Sequence, residues 1–142
     1  QKRNRLSERN RSMITVLPIQ TKEEQKELAG RCGVPFREEL LAYRAENDGT
    51  FAGICQFRMD AAGGHIADLA CPVGGTDEDA LFVMGRAALN FIDLCGVHTA
   101  FFEGEPTNPA LLRRIGFRQD EHGVFAIDLA GFFTHPCSHA EH

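Results

Sequence analysis

Residues Ile66–Gly96 read IADLACPV, GGTDED and ALFVMGRAALNFIDLCG in succession: a short apolar strand, a glycine turn and a long apolar helix. The spacing predicts a helix from about Asp77 to Cys95. Ala80, Met84, Ala87, Phe91 and Cys95 recur at i+3/i+4, and Leu81, Ala88 and Ile92 widen the stripe. Past Asp79 only Arg86, Asn90 and Asp93 interrupt it, on one shared face, so the helix is expected to be mostly buried. Gly96 ends it. A buried strand feeding a buried helix aims the helix's first N–H groups at the turn, an arrangement suited to a ligand's phosphates.

On the N-terminal side of this stretch lie two turns. Asn47-Asp48-Gly49-Thr50 separates Leu40–Asn47 from Phe51–Met59, and Asp-Gly between alternating apolar runs predicts a hairpin. Asp60-Ala-Ala-Gly-Gly64 leads into a third strand, His65–Ala70, completing an antiparallel meander. Further back, Met13–Ile19 is a strand whose Pro18 places it at an edge or bulge. Thr21 followed by Glu24 is a capping-box pattern for a helix that runs through Leu28 and stops near Gly30–Gly33. Gly33–Glu39 reads as a loop with a short helical turn.

On the C-terminal side, Val97–Glu103 is a strand. Asn108 or Thr107 caps a short helix that begins at Pro109 and ends at Gly116. Phe117–Asp120 and Gly123–Leu129 form the last strand region. The order β-α-β-β-β-α-β-α-β predicts an α/β (α+β) fold with a central mixed, mainly antiparallel sheet and helices on both faces. The strand–helix–strand unit through Glu103 is a right-handed crossover. Ligands of such sheets bind past the carboxyl ends of the strands, where parallel neighbours part.

A chain of 142 residues with 43% hydrophobic content suits one globular domain. The expected organisation is a basic arm at 1–12, a domain at 13–130 and a Cys/His-containing tail at 131–142. The arm holds Lys2, Arg3, Arg5, Arg9 and Arg11 against Glu8. It is either a disordered tail or an extension ahead of Met13 as the natural start. The whole chain carries −5 and the arm +4, which leaves −9 for 13–142. That acidity speaks against nucleic-acid binding. No apolar run approaches the ~20 residues of a membrane helix. Cys32, Cys55, Cys71, Cys95 and Cys137 are scattered and odd in number, which points to reduced thiols and a cytoplasmic protein. His135, Cys137, His139 and His142 have a spacing that soft divalent metals accept, but lack a second ligand pair, so no metal site is expected.

This element order, the strand–loop–helix at Ile66–Gly96, and the segment NPALLRRIGFRQ with Asn108 and Gly116-Phe117 together resemble the GNAT superfamily of N-acetyltransferases over nearly all of Met13–Leu129. The resemblance implies acetyl-CoA as co-substrate and an amine of a small molecule or protein as acceptor. It implies that Leu69, Ala70, Cys71 and Val73 flank the pantetheine arm, that Gly74, Gly75 and Thr76 meet the phosphates, and that Asn108 lies on the cofactor side. Asp68 and Glu103 are the carboxylates in position to act as general base. Each is also readable as an outward-facing or structural acid. A homodimer is possible in this reading.

Two departures weigh against a working enzyme. The family's Arg/Gln-x-x-Gly-x-Gly/Ala loop is here Val73-Gly74-Gly75-Thr76-Asp77-Glu78-Asp79, with three acids and no cation. Acids there stabilise the helix by ~0.3–1 kcal/mol each. Against a pyrophosphate they cost ~4 kcal/mol per charge pair at 4 Å and an effective dielectric of 20. The family's thiolate-protonating tyrosine falls at Leu112, and the lone tyrosine, Tyr43, lies in an early strand. The alternatives are therefore a degenerate binding or dimerisation module of the same fold, or a small-molecule sensor using the same cleft.

Overall fold

The computed structural model of the chain describes residues 13–133. The basic arm and the tail's His135, Cys137, His139 and His142 lie outside the described residues. The element order is β1 (Ile14–Pro18), α1 (Lys22–Arg31), β2 (Leu41–Asn47), β3 (Thr50–Asp60), β4 (Gly63–Ala70), α2 (Glu78–Leu94), β5 (Thr99–Phe102), α3 (Pro109–Ile115), β6 (Arg118–Gln119) and β7 (Phe125–Asp128). One seven-stranded sheet has the order β1-β2-β3-β4-β5-β7-β6. Every adjacent pair is antiparallel except β4 and β5. The last strand region is a hairpin whose second strand, β7, sits inside its first.

The local chemistry accounts for the elements. Asp48 (φ 52°) and Gly49 (φ 85°) both take left-handed backbone, the pair of angles a two-residue hairpin turn requires. Pro18 closes the edge strand β1 opposite Tyr43, where its missing N–H costs no central ladder bond. Thr21 Oγ1 accepts from Glu24 N at 3.1 Å. The carboxylate of Glu24 turns away to Arg44 rather than back to the cap, so only half of the capping box forms. Residues 33–40 make turns and no helix between α1 and β2.

The main core packs α2 and α3 against the sheet through Met84, Ala88, Leu89, Ile92, Leu111 and Ile115, all buried against Phe57 and Ile66. The buried stripe of α2 is Ala80-Met84-Ala88-Ile92 with Gly85 and Leu89. It is rotated from the expected one: Ala87 and Phe91 sit at its margin, and Cys95 is the exposed C-cap. Arg86 is less solvated than its polarity suggests. Its Nε donates to Ile115 O at 2.6 Å and its guanidinium lies between the rings of Phe82 and Phe132. A second cluster of Leu28, Ala29, Cys32, Phe51 and Ile54 holds α1 to the opposite face. Phe132 and Phe133 pack against the main core. Among the described residues no helix is long and apolar enough to cross a membrane.

Candidate functional site

The sheet parts where β4 and β5 leave each other. Their parallel register runs through Gly64↔Ala100, His65↔Phe101 and Ile66↔Phe102, and the final bond is Glu103 N to Ile66 O at 2.8 Å. β4 continues four residues further, paired only with β3. The cause is local. Phe57 faces Ile66 and Gln56 faces Asp68, so Ala67 is an extra residue in β4, a bulge that bends the strand away. Past Phe102 the chain turns at Gly104 toward Pro106, and proline supplies no N–H to extend the ladder. A Cβ on Gly104 would lie 2.7 Å from Ala67 O and 3.0 Å from the Phe102 ring, so only glycine fits at the vertex.

The parted strands enclose a cleft of about 470 Å³, walled by residues 67–70, by 102–105 with Thr107, and by Gly33, Val34, Pro35 and Arg37 from the loop after α1. Strand alternation turns Asp68 to the α1 face and Leu69 to the α2 face, so β4 presents a free backbone edge between them. Leu69 also borders a small cavity of about 50 Å³ with Phe102, Thr107, Asn108 and Leu112.

Four polar side chains are buried among the described residues: Gln25, Gln56, His65 and Asp68. Three form one network at the cleft wall. Asp68 Oδ2 accepts from Arg37 Nε at 2.6 Å and Gln56 Nε2 at 2.7 Å, and Oδ1 accepts from Arg37 Nη2 at 3.4 Å. Gln56 Nε2 also donates to Pro35 O, and Gln56 Oε1 accepts from Gln25 Nε2 and Arg37 N. Donating to the Asp68 carboxylate pushes the Arg37 guanidinium further up. Residues 35–37 are thereby pinned across the α1-side wall of the cleft.

Glu103, on the opposite wall, is 40% exposed and belongs to a second cluster. Its Oε2 lies 2.6 Å from His65 Nδ1 and 3.2 Å from Arg58 Nη2. His65 Nε2 lies 2.9 Å from Asp60 Oδ1, and Asp60 Oδ2 accepts from Arg58 Nη1 at 2.6 Å. The cluster spans three adjacent strands because Arg58↔His65 and His65↔Phe101 are direct cross-strand pairs on one face.

The predicted site residues separate into groups. Asp68, Leu69, Ala70 and Glu103 line the cleft. Cys71, Gly75 and Thr76 line a different cavity of about 190 Å³ beyond β4, together with Asn47 and Asp77. Val73 is exposed, with its N–H donating to Arg31 O, and Gly74 sits on the same exposed turn. Asn108 caps α3 through Leu111 N and donates to Glu78 Oε2 at 2.7 Å. The acids at the start of α2 are each partnered within the chain. Asp77 caps Ala80 N with Oδ1 and accepts from Asn47 with Oδ2, while Asp79 meets Arg114 at 3.3 Å. Cys71 Sγ accepts from Asp77 N at 3.2 Å, and burial pushes its thiol up.

Leu112, where the resemblance would place a tyrosine, is buried and carries no proton to donate. Tyr43 packs on Phe57 and Phe91 around a separate cavity. Sequence reasoning passed over Gln25, Gln56 and Arg37. One signal was available: Gln56 interrupts the apolar run FAGIC-Q-F, and a polar residue inside a central strand asks for a buried partner. Among the described residues no three His, Cys, Asp or Glu side chains are arranged to hold a metal ion.

No protein-family model matches the chain, and no curated protein matches it. Solved structures do. An IAA acetyltransferase from Bacillus cereus superposes with a TM-score of 0.65 at 17% identity, covering 82% of this chain and 100% of that one. A GNAT family acetyltransferase from Brucella melitensis in complex with acetyl-CoA gives 0.60 at 13%, covering 82% and 88%. The PaiA N-acetyltransferase from Thermoplasma acidophilum in complex with coenzyme A gives 0.61 at 13%, covering 82% and 99%. The chain therefore has the GNAT fold.

Proposed function

We propose that the chain is an acyl-CoA-dependent N-acetyltransferase that moves an acetyl group to an amine of a small molecule or protein. The observation that carries this is the wedge between β4 and β5, open on one side of the bulge at Ala67 and floored by Gly104. Two structural neighbours with this fold hold acetyl-CoA or coenzyme A. A pantetheine arm fits the free edge at Leu69 and Ala70, which offers backbone groups to an extended chain as a missing strand would. The start of α2 fits a pyrophosphate less well, because its turn holds no cation and Asp77 already caps the helix.

In this reading the acceptor amine enters beside Arg37 and attacks the thioester carbonyl. The C–N bond forms, the C–S bond breaks, and the coenzyme A thiolate leaves and takes its proton from solvent, since Leu112 offers none. Glu103, on the cleft wall and partly exposed, takes the amine proton. Asp68, fully engaged by Arg37 and Gln56, holds the acceptor-side loop in place. Cys32, Cys55, Cys71 and Cys95 are free thiols, which favours a reducing compartment such as the cytoplasm. Calorimetric titration with acetyl-CoA tests the proposal. Saturable binding is expected, and absence of binding at millimolar ligand removes it.

One observation favours a second reading, a binding or dimerisation module of the same fold. Asp77, Glu78 and Asp79 each find a partner within the chain, as caps and ties do when no ligand uses the helix start. Neutralising all three then weakens folding and leaves any activity unaltered. Loss of turnover with intact folding rejects this reading.

A further inference from the structure

His65 sits between two carboxylates. Nδ1 is 2.6 Å from Glu103 Oε2 and Nε2 is 2.9 Å from Asp60 Oδ1; the residue is 7% exposed and its ring stacks on Phe101. A neutral imidazole has one N–H and one lone pair, so it can donate to only one of them. Serving both requires both ring protons. Arg58 closes the circuit by bonding Asp60 and Glu103, giving a ring of alternating charge, Arg58–Asp60–His65–Glu103, with no net charge.

The groups facing His65 are Arg58 and Asp60 from β3 and Glu103 from the end of β5. Arg37, from the loop after α1, feels the Glu103 charge. Asp60 is the firmer anchor. It also accepts from Ala62 N at 2.9 Å and Gly63 N at 3.2 Å, and its bonds to His65 and Arg58 hold its carboxyl well below the usual range. Glu103 has no backbone donor among its described side-chain partners and precedes Gly104 at the cleft vertex.

We propose that His65 is a positioning residue that gates Glu103: the doubly protonated ring clamps the Glu103 carboxylate, and loss of the Nδ1 proton releases it into the cleft. The proton passes to solvent and its electron pair stays on Nδ1. That lone pair then faces the lone pairs of Glu103 Oε2, while Nε2–H stays on Asp60. A clamped Glu103 has its Oε2 committed to two cationic donors and is a poor base; once His65 lets go, only the longer contact to the exposed Arg58 at 3.2 Å holds it, and the carboxylate can turn to the acceptor amine. This rests on the reading of the cleft as the acyl-transfer site, with Glu103 as its base.

The test is NMR of the full chain with histidine side chains labelled in ¹⁵N and glutamate carboxyls in ¹³C, followed over pH, with His65→Gln and Glu103→Gln assigning the signals. Expected are two ring N–H groups on His65 at low pH, loss of the Nδ1 proton as pH rises, and a Glu103 carboxyl shift in the same step. In His65→Gln that Glu103 step disappears, and so does the matching step in the pH profile of kcat with acetyl-CoA and an alkylamine as probes. A ring with one proton at low pH, loss of the Nε2 proton first, or a Glu103 signal that ignores His65 overturns the proposal. If His65→Gln does not fold, the wild-type titration decides alone. The titration needs no substrate, so failure of acetyl-CoA to bind sinks the functional reading without touching this result.

Discussion

Asp68 accepts from Arg37 on both oxygens and from Gln56 on one, and Gln56 in turn reaches Pro35, Arg37 and Gln25. A buried amide with that many partners is costly to delete, because each partner is left without a bond in a dry site. Gln56→Ala is expected to destabilise the fold by about 2–4 kcal/mol from lost bonds and the cavity left behind. Amide exchange in residues 33–40 should accelerate more than in α2. Urea denaturation and hydrogen exchange read both effects. The thiols give a second check at this scale. Burial, with the charge of Cys71 behind it, pushes the Cys32 thiol up to about 11, and burial raises Cys55 as well. In the native chain Cys95, exposed at the end of α2, is expected to react with an aromatic disulfide reagent well before Cys32 or Cys55, which react on unfolding.

Among the elements, α2 carries most of the packing and its own cap. Asp77→Ala removes the bond to Ala80 N and the tie to Asn47, and is expected to cost about 1 kcal/mol. Leu89→Ala empties a fully buried position between α2 and the sheet and is expected to cost about 2–5 kcal/mol. Both are measurable by chemical denaturation. These elements were legible because their signals are local. The stripe of α2, the Asp48-Gly49 turn and the Asn108-Pro109 helix start each lie within a few neighbouring residues. What escaped was non-local. Gln56 meets Asp68 only because of the β3–β4 register, and Glu103 meets His65 only across a parallel pair separated by α2. The rotation of the α2 stripe was hidden for the same reason, since which margin of an amphipathic helix is buried depends on where α3 and Phe132 lie. Asp68 and Glu103 were recognisable as acids near strand ends; their partners were not.

At the scale of the whole molecule, two helices cover one face of the sheet, one covers part of the other, and the central defect is the opening between β4 and β5. The cluster beside it makes stability depend on pH. Asp60, held below the usual carboxylate range by His65 and then Arg58, favours the folded state at pH above that range. That contribution is lost as pH falls through the folded value. Stability is therefore expected to decline below about pH 4, the ordinary carboxylate range. Asp60→Asn should flatten that part of the profile, as thermal unfolding against pH would record. On the proposed function, the parted strands receive a thioester's pantetheine arm along the edge of β4. Backbone ¹H–¹⁵N spectra recorded during addition of acetyl-CoA test it most directly. Saturable shifts centred on Leu69, Ala70 and Gly104 are expected, with little change at β1 and β2. Shifts confined elsewhere, or none at millimolar ligand, would contradict it.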